Sequence, residues 1–119
     1  MKVSVSPIET DVHRVSLEGY MDIAGADEID LQLTALTSTD CQFLIADLSS
    51  VSFMASIGIG TLMRCVKAVR LRGGNMVFFN PQPQVRQVLE KTMIHQIVPI
   101  VSDLQEACRV VRETPPAIR

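Results

Sequence analysis

The sequence predicts an α/β protein: a mixed β-sheet, made of an N-terminal hairpin plus parallel strands, flanked by about four helices. Three observations carry this. Val3 and Val5, then Val15 and Leu17, alternate with polar residues on either side of Glu9-Thr10-Asp11, the pattern of a hairpin with its turn. Three short apolar runs are each followed by a helix-like pattern, and strands that alternate with helices favour parallel pairing through right-handed crossovers. Residues 48–63 form an uncharged run of sixteen, which marks the centre of the chain as buried.

Element by element, Gly19 and Asp22 close the second strand of the hairpin. An amphipathic helix over about residues 24–36 follows, with Ile29, Leu33 and Leu36 at helical spacing. The three strand–helix units are 43–46 with 56–71, 76–79 with 84–91, and 97–101 with 104–112. The first of these strands, Phe43-Leu44-Ile45-Ala46, ends at Asp47. Gly73-Gly74 stops the middle helix, and Pro81 and Pro83 mark the next turn. Ligands of open α/β sheets gather beyond the carboxyl ends of the strands, so Asp22, Ser49 and the turn at Ser56 are expected near one edge. Residues 1–112 read as one domain and 113–119, with Pro115-Pro116, as a flexible tail.

Composition narrows the function classes. A net charge of −2 gives no electrostatic footprint for nucleic acid. The uncharged central run is shorter than the roughly 20 residues a membrane span needs and is rich in serine and glycine, so no membrane insertion is expected. Three scattered cysteines, Cys41, Cys65 and Cys108, form no CxxC pair and read as reduced thiols of a cytoplasmic protein. Cysteine and histidine never cluster, so no metal site is expected. Gly58-Ile59-Gly60 lacks the third glycine of a dinucleotide fingerprint, and no Walker-type GK[ST] is present, so no cofactor is expected. His13 sits in or at the start of the second strand and His95 in a late loop, neither placed as a base for a serine nucleophile. The reading is a protein that is not an enzyme.

The most informative point is the start of the central helix. Two glycines in a first turn cost a helix about 1 kcal/mol each relative to alanine, which suggests that something needs close access to that backbone. Helix N-termini attract anions, so Ser56 reads either as a plain cap or as a place where phosphate is put.

Asp47-Leu48-Ser49-Ser50-Val51-Ser52-Phe53-Met54-Ala55-Ser56-Ile57-Gly58-Ile59-Gly60 resembles the signature of STAS domains, in particular bacterial anti-sigma factor antagonists, D-L-S-x-V-x-F-x-D-S-[ST]-G-[LI]-G. Leu17-Glu18-Gly19-Tyr20-Met21-Asp22 resembles the family's earlier L-x-G-x-[LI]-D element. The resemblance implies a small mixed sheet without catalytic activity that binds an anti-sigma factor which is also a serine kinase. The kinase phosphorylates the serine at the start of the central helix, here Ser56, and a PP2C-type phosphatase resets it. The partner-binding residues it implies are Asp22, Ser49, Ala55, Ile57, Gly58, Ile59, Gly60 and Met63. Two departures stand out: Ala55 replaces the family's usual aspartate, and Ile57 a frequent serine or threonine. They fit a different kinase, or an antagonist that is never phosphorylated. The alternative is a STAS scaffold or accessory subunit of a signalling complex, transporter or lipid-transfer system. A phosphoaspartate receiver is disfavoured, since no adjacent acidic pair follows an early strand.

Lesser expectations concern single side chains. Arg64, Lys67 and Arg70 could form a basic strip or a solvated face of the central helix. Met54, Met63 and Met93 read as core filling and Cys65 as a small buried hydrophobe.

Overall fold

A computed structural model of the protein describes residues 2–37 and 43–113, leaving the side chains of residue 31 and residues 33–37 outside the description. Cys41, the Leu33 and Leu36 side chains and residues 114–119 of the expected tail therefore lie outside the described residues. Five strands, β1 (Lys2–Glu9), β2 (Val12–Met21), β3 (Phe43–Met54), β4 (Asn75–Phe79) and β5 (Ile100–Val101), form one sheet in sequential order. β1 runs antiparallel to β2, and every later pairing is parallel. The helices are α1 (Ile23–Thr37), α2 (Ser56–Leu71), α3 (Pro83–Lys91) and α4 (Leu104–Val111). This is the mixed sheet with four helices that the sequence predicts.

Two apolar layers hold the helices to the sheet. On one face, Val15, Leu17, Leu44, Ala46, Leu48, Met76 and Phe78 pack against Ile29 of α1, Leu62, Val66 and Val69 of α2, and Val85 and Leu89 of α3. On the other, Val12, Ile45, Val77 and Val101 pack against Ala107, Cys108 and Val111 of α4. Alternation along β3, with Leu44 and Ala46 to one layer and Ile45 to the other, follows from the period of two in a strand.

Three expectations are corrected. The strand expected to end at Asp47 continues to Met54, because β2 offers it a partner the whole way, to the pair Met21↔Met54. The ladder with β4 stops at Asp47↔Phe79, so β3 beyond Asp47 pairs only with β2. β5 shrinks from the expected 97–101 to Ile100–Val101, since Ile94–Gln96 form a short 3₁₀ turn and the first sheet contact is the Pro99 carbonyl, which accepts from the Phe78 N–H. Met93, expected in the core, is exposed with φ 64 at the entrance to that turn, whereas Met54 is buried.

Arg70 likewise leaves the expected basic strip. It is buried, and its Nε and Nη2 donate to Asn75 Oδ1 at 2.9 Å and the Ile97 carbonyl at 2.8 Å, tying α2 to the start of β4. Burial lowers its pKa, since desolvation disfavours the cation. Cys65 is buried as expected, and burial, with the Asp30 charge, pushes its thiol up to about 11.

Candidate functional site

The centre of the candidate site is where β3 hands over to α2. Met54 is the last residue of the strand, and Ser56 is the first of the helix, where the sequence predicts its start. Between them Ala55 takes the N-cap position in an extended conformation, with φ −90 and ψ 167. Its N–H donates to the Met21 carbonyl at 2.9 Å, and its own carbonyl accepts from Gly58 and Ile59. Alanine has no side-chain acceptor, so no side chain caps α2, and no acidic residue stands in its first turn.

Ser56 is therefore the first helical residue and not the cap. Its side chain is exposed and makes no hydrogen bond among the described residues. Ile57 beside it is exposed, and Met63 two turns on is half-buried. Arg64 donates to Thr61 Oγ1 and pairs with Asp30 of α1 at 3.3 Å, so that face of α2 is joined to its neighbour helix.

The expected contact residues separate into two groups. Ile59 is 8% exposed and belongs to the core, and Gly58 is buried. A Cβ at Gly58 would overlap Met21 Cγ and lie 2.7 Å from Sδ and 3.0 Å from the Met21 carbonyl. The close approach expected of Gly58 is thus made within the fold, by β2. Gly60 differs: a Cβ there meets only Arg64 Nη1, at 4.0 Å. No packing requirement explains Gly60. Exposed positions near the helix start are Ser56 and Ile57, with Ala55, Gly60 and Met63 partly covered.

Asp22 and Ser49 have structural partners. Asp22 Oδ1 accepts from the Gly25 N–H at 2.8 Å, and its carbonyl accepts from Ala26, which starts α1. Ser49, expected beyond the strand ends, lies inside β3, where its N–H and Oγ donate to Asp47 Oδ1 at 2.9 and 2.6 Å. The other oxygen of Asp47 takes Arg14 Nε at 2.9 Å together with Nη2, and the Arg14 guanidinium lies over the Phe79 ring. Burial pushes the Asp47 carboxyl up, but the Ser49 donors and the Arg14 cation outweigh it and hold the group below the usual carboxylate range. The Ser49 carbonyl accepts from Gln82 Nε2 at 2.9 Å and the Ser52 carbonyl from Gln84 Nε2 at 3.3 Å, so the start of α3 supports the free edge of β3.

One feature escaped the sequence reading. Tyr20 and Phe53 are exposed on adjacent strands, their ring centroids 6.3 Å apart and tilted by 57°. The signal was there: each aromatic directly precedes a methionine that ends a strand, Met21 or Met54. Adjacent strand residues face opposite ways, so a buried methionine implies an outward aromatic.

Among the described residues no group of three histidine, cysteine, aspartate or glutamate side chains could hold a metal ion, and no helix is long and apolar enough to cross a membrane.

Comparison with known proteins identifies the fold and the family. The chain is 29% identical over 98 residues to the anti-sigma F factor antagonist of Paenibacillus polymyxa, covering 78% of this chain and 84% of that protein. It superposes on a Thermotoga maritima protein, a candidate anti-sigma factor antagonist, with a TM-score of 0.85 at 22% identity, over 93% of this chain and 95% of the other. It also matches the Bacillus cell fate determinant SpoIIAA, solved in its phosphorylated form, with a TM-score of 0.70 at 17% identity, over 92% of this chain and 99% of that one. These structural likenesses concern the fold. Residues 5–107 match the profile of the STAS domain, and the chain belongs to the STAS domain family.

Proposed function

We propose that this protein is an anti-sigma factor antagonist, a partner-switching regulator of transcription in a bacterial cytoplasm. It binds an anti-sigma factor that is also a serine kinase and is controlled by phosphorylation of Ser56. The observation that carries this reading is the Ser56 hydroxyl: exposed, free of hydrogen bonds among the described residues, and first in an uncapped helix. In the transfer step Ser56 Oγ bonds to the γ-phosphorus of ATP held by the kinase, the bond to the β-phosphate oxygen breaks, and ADP leaves. The hydroxyl proton passes to a base of the kinase. A PP2C-type phosphatase reverses the modification by hydrolysis, releasing inorganic phosphate. The chain itself supplies only the acceptor oxygen, so no turnover of its own is expected.

The physics of the switch is simple. A phosphoryl group adds about −1.5 to −2 charges. The N-terminus of α2 tolerates that charge within the domain. A tightly packed apolar contact against Ile57 and Gly60 does not, because a charge buried without a partner costs several kcal/mol. Ala55 and the exposed Ile57 also favour a second reading, a STAS scaffold that binds its partner and is never phosphorylated.

The test is a purified kinase-type anti-sigma factor from the same organism, with binding followed by calorimetry and phosphorylation by mass spectrometry. Ser56→Asp and Gly60→Arg are expected to weaken binding, and Ser56→Ala to bind like the native protein while taking no phosphate. Equal affinity for the native, Ser56→Asp and Gly60→Arg proteins would place the interface elsewhere. Tight binding without any phosphate at Ser56 selects the scaffold reading.

A further inference from the structure

We infer that the partner's docking surface extends from the start of α2 onto an apolar patch of Tyr20, Ile23, Phe53 and Ile57, rimmed by Glu18 and Asp27. Its occupant is a protein face of opposite make-up, an apolar recess bordered by lysines and arginines. This deepens the partner switch proposed above and rests on it.

The large hydrophobic residues left in solvent are not scattered. Seven are exposed among the described residues, and four of them fall in two short segments: Tyr20 at 63%, Ile23 at 67%, Phe53 at 49% and Ile57 at 43%. The fold sets those segments side by side. Tyr20 and Phe53 are register partners in the β2–β3 ladder, their rings in contact range. The Ala55 N–H to Met21 carbonyl bond then joins the strand ends that lead into Ile23 and Ile57. Single exposed apolar residues are ordinary, whereas a contiguous group marks an interaction surface. Exposed aromatic side chains are also the residue type that most often dominates an interface.

Charge identifies the occupant. From Val15 to Met63 the chain carries seven acidic residues and no lysine or arginine; all eleven of those lie outside that stretch. Several of the acids are committed within the fold: Asp22 caps α1, Asp30 pairs with Arg64, and Asp47 pairs with Arg14. Glu18 and Asp27 are exposed and carry no ion pair among the described residues. Glu18 lies two residues before Tyr20, and Asp27 one helical turn beyond Ile23. A second copy of this chain would set like charges around the patch, which disfavours self-association. A basic rim complements it and speeds encounter.

Tyr20 provides its own probe, because the chain has one tyrosine and no tryptophan. Protein labelled with 3-fluorotyrosine therefore gives one fluorine resonance, from the patch itself. On titration with a purified kinase-type anti-sigma factor that resonance should shift or broaden. Tyr20→Ser and Phe53→Ser should each weaken binding by about tenfold or more, with an unchanged melting curve for Tyr20→Ser as the folding control. Glu18→Lys combined with Asp27→Lys should slow association and flatten its dependence on salt. If the partner binds the native protein and rejects Ser56→Asp, while the resonance and the Tyr20→Ser affinity stay unchanged, the patch is no contact and the switch still stands. A partner that binds none of these proteins removes both readings. A resonance that moves with the protein's own concentration means self-association and overturns the assignment of the occupant.

Discussion

Gly58 and Gly60 lie two positions apart in α2 and answer to different demands. Gly58 is required by Met21, which occupies the space a side chain would need. Gly60 answers to nothing inside the protein, so its cost to the helix has no internal return. Gly60→Ala should raise stability by about 1 kcal/mol, the usual helix penalty of glycine. Gly58→Ala should lower it by about 1–3 kcal/mol through overpacking. Urea denaturation of the two variants gives both signs. A loss of stability in Gly60→Ala would mean an internal role for that glycine and would remove one support for the interface. The sequence shows both glycines in one motif and reads both as access for a partner. It does not show the helical phase that turns Gly58 to Met21 and Gly60 to solvent, because that depends on where β2 ends.

At the scale of elements, the start of α2 was legible and the end of β3 was not. Ser56 lies within the uncharged run and precedes Leu62, Val66 and Val69 at helical spacing, so the helix boundary falls out of the pattern. In β3 the buried positions after Asp47 are Leu48, Val51 and Met54, three apart, which matches neither a strand nor a half-buried hairpin. The ladder with β2 shifts register between Ser16 and Glu18 and again between Gly19 and Tyr20. Irregularities of this kind break the period of two on which strand recognition depends. The missing cap of α2 yields a further prediction. Ala55→Asp should stabilise the protein by about 1 kcal/mol, since aspartate caps helices far better than alanine. That gain should be present at neutral pH and shrink as acid protonates the new carboxylate, measured as the difference in urea midpoint between the two proteins.

For the whole molecule, Asp47 joins two strands of the sheet. Its carboxylate accepts from Arg14 of β2 and from Ser49 within β3. Its folded-state pKa is lowered, so its contribution to stability is fully present above the unfolded carboxylate value of about 3.9 and is lost as pH falls through the folded value. Asp47→Asn should therefore be less stable than the native protein at pH 7, and the gap should narrow below about pH 4. A gap that stays constant from pH 7 to pH 3 would show that the ion pair carries no such linkage.

The way β3 outruns β4 has a consequence in time. Among the described residues the sheet narrows past Glu18 and Ser50 to a two-stranded ribbon, β2 against β3, since β1 pairs no further than Lys2↔Glu18 and β4 no further than Asp47↔Phe79. Gln82 and Gln84 at the start of α3 hold its outer edge. Two-stranded ribbons are marginal, and regions of low local stability open first. Amide protons of residues 51–54 and 19–21 should therefore exchange with deuterium well before those of residues 44–47, at the same pH and temperature. Tyr20 lies on that ribbon and Ser56 stands just beyond its end, so a protein that grips either one should slow exchange along all of it. The surface proposed for a partner is thus also the part of the sheet expected to open first, and binding is expected to register as a loss of motion.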